Sequence, residues 1–369
     1  MSELQQRLKM LSDDQRALFE KLVAKKREAE NPVSLQPPEI IPKPEARYQP
    51  FPLTDIQQAQ WFGRSGLFEI TVAGHGYVEI DCDGMSLERL QTAFRRLIAD
   101  NDQLRMVVRP NLRQQVLKEV PDYEFKVFEL RGKTPEEVDA SLTQVRERMA
   151  HDIIPADTWP IFEVCASVMD GGKLRIHFNF DLLVGDAWCF RMLIDEWARV
   201  YDDLDSGRPQ PKELTYRDYV LALQALEETE LFARDLAYWR KQLEDLPPPP
   251  QLPMLQSPAS LTQFRAQHWT VGLSKDKWSS LKKKLGRERL TPSGFFAAAL
   301  SEVITLWNKE PRHALNVTVF NRLPLHPEIP NILVGEFNSF QLLAVENGVT
   351  APFAERARTL QSLLWDHLE

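Results

Sequence analysis

The sequence predicts an α+β fold built in two parts of similar size. Three observations lead there. Helix-period and strand-period segments alternate in an order that is neither strict βαβ repetition nor all-β. Proline-rich runs at 31–52 and 246–258 punctuate the chain. The 369 residues are enough for two or three ordinary domains with a sizeable core.

The elements follow in order. Residues 1–30 read as a helical docking or linker segment, with a Ser12/Gln15 capping box and a stripe of Leu18, Phe19, Leu22 and Val23. It either packs on the main body or meets another subunit. Seven prolines between Pro32 and Pro52 exclude helix and central strand, so 31–47 is an extended linker. The body starts near Tyr48. Thr54 and Gln57 form a second capping box, opening a helix through Trp61 towards Gly63. Tyr77–Cys82 reads as strand. Ser86–Ala99 reads as helix, with Leu87, Leu90, Phe94, Leu97 and Ile98 on one face. Short strands are expected at Leu104–Val108, Gln114–Leu117 and Phe125–Phe128. Thr134 caps a helix to Met149 with Pro135 in its first turn. Ile161–Val168 and Leu174–Phe180 are strands joined at Asp170, Gly171 and Gly172. A helix from Asp186 to Leu204 closes the first part.

A linker over 206–214 leads to helices at Tyr216–Leu226 and Leu231–Leu243. Six prolines from Pro247 to Pro258 make a rigid strap. Strand Phe264–Val271, helices Ser274–Leu285 and Pro292–Trp307, and strand Leu315–Phe320 follow. The segment FAERARTLQSLLWDHLE ends the chain as an amphipathic helix with neither a Gly cap nor a Pro stop. That ending points to a boundary inside a longer protein and to an incomplete second part.

Composition narrows the function. A net charge of −8 argues against nucleic acid as the main partner. No run of about 18 uncharged apolar residues exists to span a membrane, and MSELQQRLKM lacks a signal-peptide core. Cys82, Cys165 and Cys189 are too scattered for a disulfide framework or a CxxC site, which suits a reducing cytoplasm. None of the seven histidines pairs with a ligand at metal-binding spacing. His177 reads as a satisfied core histidine or as a neighbour of the acidic pair described next. The cations from Lys275 to Lys284 read as a solvated helix face or an electrostatic dock.

Chemistry concentrates in HFNFDLLVGDAWCF, residues 177–190. Asp181 and Asp186 flank the apolar Leu182, Leu183 and Val184 at the exit of a core strand. Buried carboxylates there need partners. Asp186 could cap the next helix, and Asp181 could bind Arg64 or Arg105. Direct proton chemistry is the other reading of both.

Here the residues carry a resemblance. The chain resembles a heterocyclisation domain of nonribosomal peptide synthetases, the specialised branch of the condensation-domain family. Condensation domains carry HHxxxDG; heterocyclisation domains carry DxxxxD, met here by Asp181 and Asp186. Leu182 then stands at the second His, and leucine cannot move a proton. FPLTDIQQAQWFGR at 51–64 resembles the first family motif, with Gln60 and Trp61 near its Ala-Tyr. DNDQLR at 100–105, LPPPPQLPM at 246–254, LTPSGFFAAALSEVITLW at 290–307, NVTVFNRLPLHPEI at 316–329 and GEFNSFQLL at 335–343 are similar to later motifs. Six motifs in order span about 290 residues. Cys189 replaces the Ser of DxxxxDxxS; Glu336 and Asn338 replace the Asp and Thr of GDFT. The last two family motifs, whose Thr and Asp are assigned to cyclodehydration, are absent.

The resemblance implies two chloramphenicol-acetyltransferase-like lobes meeting in a V around a tunnel, at 48–213 and 214–369, the second incomplete. It implies condensation of a carrier-bound acyl or aminoacyl donor with carrier-bound Cys, Ser or Thr, then cyclodehydration to thiazoline or oxazoline. Asp181 and Asp186 are the catalytic candidates. Asn338, Ser339 and Cys189 are tunnel candidates, although Cys189 also suits a packing role, and Arg64 is the structural ion partner. No intrinsic cofactor is implied beyond phosphopantetheine arms on upstream donor and downstream acceptor carriers. An adenylation domain is the expected neighbour, and the upstream carrier would arrive in trans. The alternatives are a non-catalytic carrier-binding module or inactive fragment, and a plain acyltransferase, which Leu182 denies.

Overall fold

The computed structural model describes residues 37, 39–66, 73–205, 212–257, 260, 269–329, 334–348 and 350–368. The expected helix over 1–30 and residues 264–268 of the expected strand Phe264–Val271 lie outside these. Trp269–Val271 hold no regular structure.

The first part is organised by a four-stranded sheet. Its order is β2 (His75–Asp83), β7 (Lys173–Asp181), β6 (Phe162–Val168), β5 (Lys126–Glu129). Only β5 and β6 run parallel; the other pairs are antiparallel. β7 is buried from Ile176 to Asp181 on both faces, because helices cover both. On one face lie α2 (Leu87–Asp100) and α4 (Ala187–Asp202). There Phe94 packs edge-on against Phe178 at 5.7 Å and against Trp197 at 4.9 Å. On the other lies α3 (Pro135–Met149), whose Val145 and Met149 pack with Cys165, Tyr77 and Phe128. A smaller sheet joins β1 (Phe51–Pro52), β4 (Arg113–Val116) and β3 (Met106–Val108). α1 (Asp55–Arg64) starts from β1 with the expected Thr54/Gln57 capping box.

The second part contains α5 (Tyr216–Leu226), α6 (Glu230–Glu244), α7 (Lys275–Arg287), α8 (Pro292–Trp307), β8 (Arg312–Phe320), β9 (Asn338–Glu346) and α9 (Phe353–Asp366). β8 and β9 pair antiparallel from Arg312↔Glu346 to Phe320↔Asn338. Leu285, Leu290, Ala298, Leu315, Leu343, Val345, Ala357 and Leu360 form a separate small core between this pair and the helices. The proline strap lies along β8, with the Ala314 N–H donating to the Pro248 carbonyl at 2.9 Å.

The larger core also takes Tyr216, Tyr219, Val220, Val334 and Phe337 from the later sequence. Segment 334–337 is therefore fastened to the first part. Two local differences have clear causes. The strand expected from Leu104 begins only at Met106, since Asp102–Arg105 is a 3-10 turn. Arg105 holds that turn by donating to the Ile98 and Leu117 carbonyls and to Asp102. β9 was not expected: it is stabilised by its long pairing with β8 rather than by local pattern. Among the described residues, no single helix is long and apolar enough to cross a membrane.

Candidate functional site

The site begins where β7 leaves the sheet. Asp181 ends the strand opposite His75 and is 1% exposed. Its Oδ1 accepts from Arg64 Nη2 at 2.8 Å and from the Leu183 N–H at 2.9 Å. Arg64 stands in the last turn of α1, so this ion pair ties the first motif to the acidic motif. Arg105 is committed to Asp102, which settles the choice of partner in favour of Arg64. Leu182 is half-buried, and its N–H donates to the Gly74 carbonyl at 3.0 Å. No group capable of proton transfer occupies that position.

Asp186 is fully buried at the N-cap of α4, where Oδ1 accepts from the Cys189 N–H at 2.7 Å. The capping role thus holds. A charge partner adds to it: Arg322 Nη2 lies 3.5 Å from Oδ1. Among the described residues Oδ2 has no hydrogen-bond partner. A buried carboxylate with a free oxygen retains acceptor capacity for a donor group.

Segment 335–337 closes on this corner. The Asp186 N–H donates to the Gly335 carbonyl at 3.2 Å. The Cys189 thiol donates to the same carbonyl at 3.0 Å, and the Gly335 N–H donates back to Sγ at 3.2 Å. Only glycine fits: a Cβ at Gly335 would lie 2.2 Å from Tyr216 Cδ2. The Tyr216 hydroxyl donates to the Glu336 carbonyl at 2.5 Å. Arg322 covers the Phe337 ring at 4.1 Å. Burial, with the Asp186 charge added, pushes the Cys189 thiol up to about 12, so it remains an S–H.

Glu336 supplies a third buried carboxyl, 2% exposed. Its Oε1 accepts from the Asn338 N–H at 2.8 Å, while among the described residues Oε2 has no hydrogen-bond partner. Gln60 of α1 acts on this side chain to favour its charged form. Burial pushes Glu336 up to about 7; the Asn338 N–H opposes the rise and the Asp186 charge reinforces it.

The structure brings Arg64, Asp181, Asp186 and Cys189 to one end of β7, and joins Asn338 to them through Glu336. Ser339 lies on β9 opposite Val319 and makes no side-chain hydrogen bond to the network. His177 takes its core reading. Nδ1 meets the Tyr77 hydroxyl at 2.7 Å and Nε2 meets the Ser167 hydroxyl at 2.9 Å, on the face beneath α3. Sequence reasoning gave no role to Arg322, Gly335 or Tyr216, and noted Gln60 and Glu336 only as departures. For all of these but Tyr216, position inside a quoted motif was the available signal. Among the described residues, no cluster of three or more His, Cys, Asp or Glu could hold a metal. A cavity of about 1120 Å³ is lined by residues including Arg47, Arg96, Arg105, Lys212 and Tyr216, with Asp181 and Asp186 not among them.

The chain is similar to known proteins in sequence and in overall fold. The family model described as Condensation domain matches residues 48–367. Bacitracin synthase 1 of Bacillus licheniformis is 34% identical over 330 residues, 88% of this chain and 6% of that protein. Phenyloxazoline synthase MbtB of Mycobacterium tuberculosis is 31% identical over 324 residues, 86% of this chain and 22% of its own length. The chain thus spans less than a quarter of either relative. The solved EpoB cyclization-docking bidomain from Sorangium cellulosum superposes with a TM-score of 0.84 at 34% identity, covering 97% of this chain and 72% of that one. The α+β architecture expected from the sequence is that of these condensation-type structures. With a DxxxxD pair in place of the histidine motif, the chain belongs to the condensation-domain family of nonribosomal peptide synthetases, in its heterocyclisation branch.

Proposed function

We propose that this domain joins a carrier-bound acyl or aminoacyl donor to a carrier-bound Cys, Ser or Thr and then closes a thiazoline or oxazoline ring. One observation carries the reading: Asp181 and Asp186 are buried and held in place while Leu182 stands between them. A histidine-assisted condensation has no base at that position. Condensation-type domains are acyl-transferring enzymes, and a relative whose name includes phenyloxazoline synthase supports the ring-forming extension.

In the first step the acceptor amine attacks the donor thioester, an amide forms and the donor carrier's thiol leaves. In the second, the acceptor's side-chain thiol or hydroxyl adds to the amide carbonyl. The carbonyl oxygen leaves as water, carrying the proton of the attacking thiol or hydroxyl and the amide proton, and a C=N bond remains. Asp181, through Arg64, fixes the approach of α1; Asp186, through the α4 cap and Arg322, fixes the approach of segment 335–337. Holding two tethered reactants in register accounts for most of the rate in this reading. The free oxygens of Asp186 and Glu336 are the groups offered to a donor on the reacting amide. The lobes at 48–213 and 214–369, the tunnel role of Asn338, Ser339 and Cys189, and the phosphopantetheine arms of two carriers belong to the same proposal.

A second reading, a non-catalytic carrier-binding module, is favoured by one fact: Asp181 Oδ1 is already engaged by Arg64 and the Leu183 N–H. Loading both carriers and following product mass separates the two. Amide formation followed by loss of one water is expected. Amide without that loss sinks the ring-forming step, and no product favours the module.

A further inference from the structure

The strongest charge anomaly on the surface is α7. Residues 275–289 hold five lysines and two arginines against Asp276 and Glu288, a net of +5 inside a chain of net −8. Leu285 is buried. At about 100° per residue, Lys283 and Arg287 fall on the outer arc opposite it, with Lys275, Lys277 and Lys284 on its flanks, all exposed. Lys282 stands 5.6 Å over the Trp278 ring. Among the described residues none of these six cations forms an ion pair. Glu288 is taken by Arg358 at 3.2 Å, and Asp276 sits in the first turn facing the helix dipole.

Only part of this face serves the helix: Lys284 and Arg287 suit the negative end of its dipole. Lysines at 275 and 277 oppose the positive end of the dipole, and the crowded lysines repel one another. The exit repeats the pattern. Arg289 holds a left-handed backbone at φ 55, where glycine is the usual choice after a helix.

We propose that the outer face of α7 docks an acidic, phosphate-bearing carrier domain. This rests on the carrier-dependent reading above and adds the surface that receives the partner. The patch is one helix of roughly 20 Å, which fits one edge of a small domain. An extended polyanion would overrun it onto a chain that is otherwise acidic. Complementary charge of this kind sets encounter rate and partner choice, and fades with salt.

The full chain is titrated with an isolated phosphopantetheinylated carrier domain at low and high salt. K282E/K283E/K284E is expected to weaken binding about tenfold or more at low salt, with the difference vanishing at high salt. Its thermal midpoint should equal the parent's, and the corresponding triple Gln variant should show an intermediate loss. Turnover of both substrates supplied as soluble N-acetylcysteamine thioesters should be unchanged. Carrier affinity that ignores both variants overturns the proposal. So does a parent protein that binds phosphatidylglycerol vesicles, through the adjoining exposed Phe296, Leu300 and Trp307, in preference to the carrier. Absence of ring product from the soluble thioesters with carrier binding intact would sink the cyclisation reading alone.

Discussion

The Cys189 thiol and the Gly335 backbone hold each other in both directions across 146 residues, S–H to carbonyl at 3.0 Å and N–H to sulfur at 3.2 Å. A sulfur can donate and accept at once only as a thiol, and burial keeps it one. Arg322 makes a third contact to the sulfur at 2.8 Å. This clasp fixes segment 335–337 against α4.

Cys189→Ser should retain both directions with a shorter reach, at a loss of about 1 kcal/mol. Cys189→Val should lose about 1–3 kcal/mol, because the buried Gly335 N–H is left without an acceptor. Urea denaturation of the two variants checks the order. Equal stability would mean that the sulfur only fills space.

Arg64 and Asp181 are both nearly inaccessible, at 8% and 2% side-chain exposure. Removing either partner strands a buried charge, so Arg64→Met or Asp181→Asn should each cost about 3–5 kcal/mol. The double variant should cost clearly less than the sum. A double-mutant cycle measures this, and strict additivity would refute the coupling.

Glu336 gives a pH dependence with a defined sign. Its folded value of about 7 lies above the ordinary 4.5. The folded state therefore binds more protons between those values, and stability should fall as pH rises from about 4.5 through about 7. The shift corresponds to on the order of 3 kcal/mol. Glu336→Gln, which mimics the protonated form, should flatten that slope and gain stability at pH above 7. Thermal midpoints across the range test it; an unchanged slope rejects the assignment.

His177 titrates the other way. Burial lowers it to about 4 from 6.5, so the unfolded chain binds the extra proton. Its contribution is present above pH 6.5 and is lost as pH falls through 4. A proton NMR titration should show the ring neutral at pH 6, hydrogen-bonded to Tyr77 and Ser167. A midpoint near 6.5 would show that the buried network is open to water.

Much of the fold was legible because its signals are local. Thr54, Thr134 and Asp186 cap the helices they were expected to cap, since a side-chain oxygen two or three residues ahead of an N–H needs no tertiary help. The β6 and β7 strands were legible from apolar runs bounded by Gly171 and Gly172. β9 was not, because Asn338 and Ser339 open it with polar residues and its ladder to β8 supplies the order. The aspartate pair was legible as a pair; its partners were not equally so. Residue type alone left Asp181 two arginines in prospect, and only the family resemblance singled out Arg64. Asp186 was seen as a cap, without the Arg322 that approaches from 136 positions later.

By itself, the sequence determined the α+β class, the caps, the acidic pair and the loss of any proton carrier at Leu182. These depend on residue type and near neighbours. Only the tertiary structure decided that Arg64 is the partner of Asp181, that Cys189 clasps Gly335, and that Glu336 holds a proton near neutrality. Each of those depends on burial and on charges brought together from distant segments, and a carboxyl's affinity for a proton is set by what surrounds it in space.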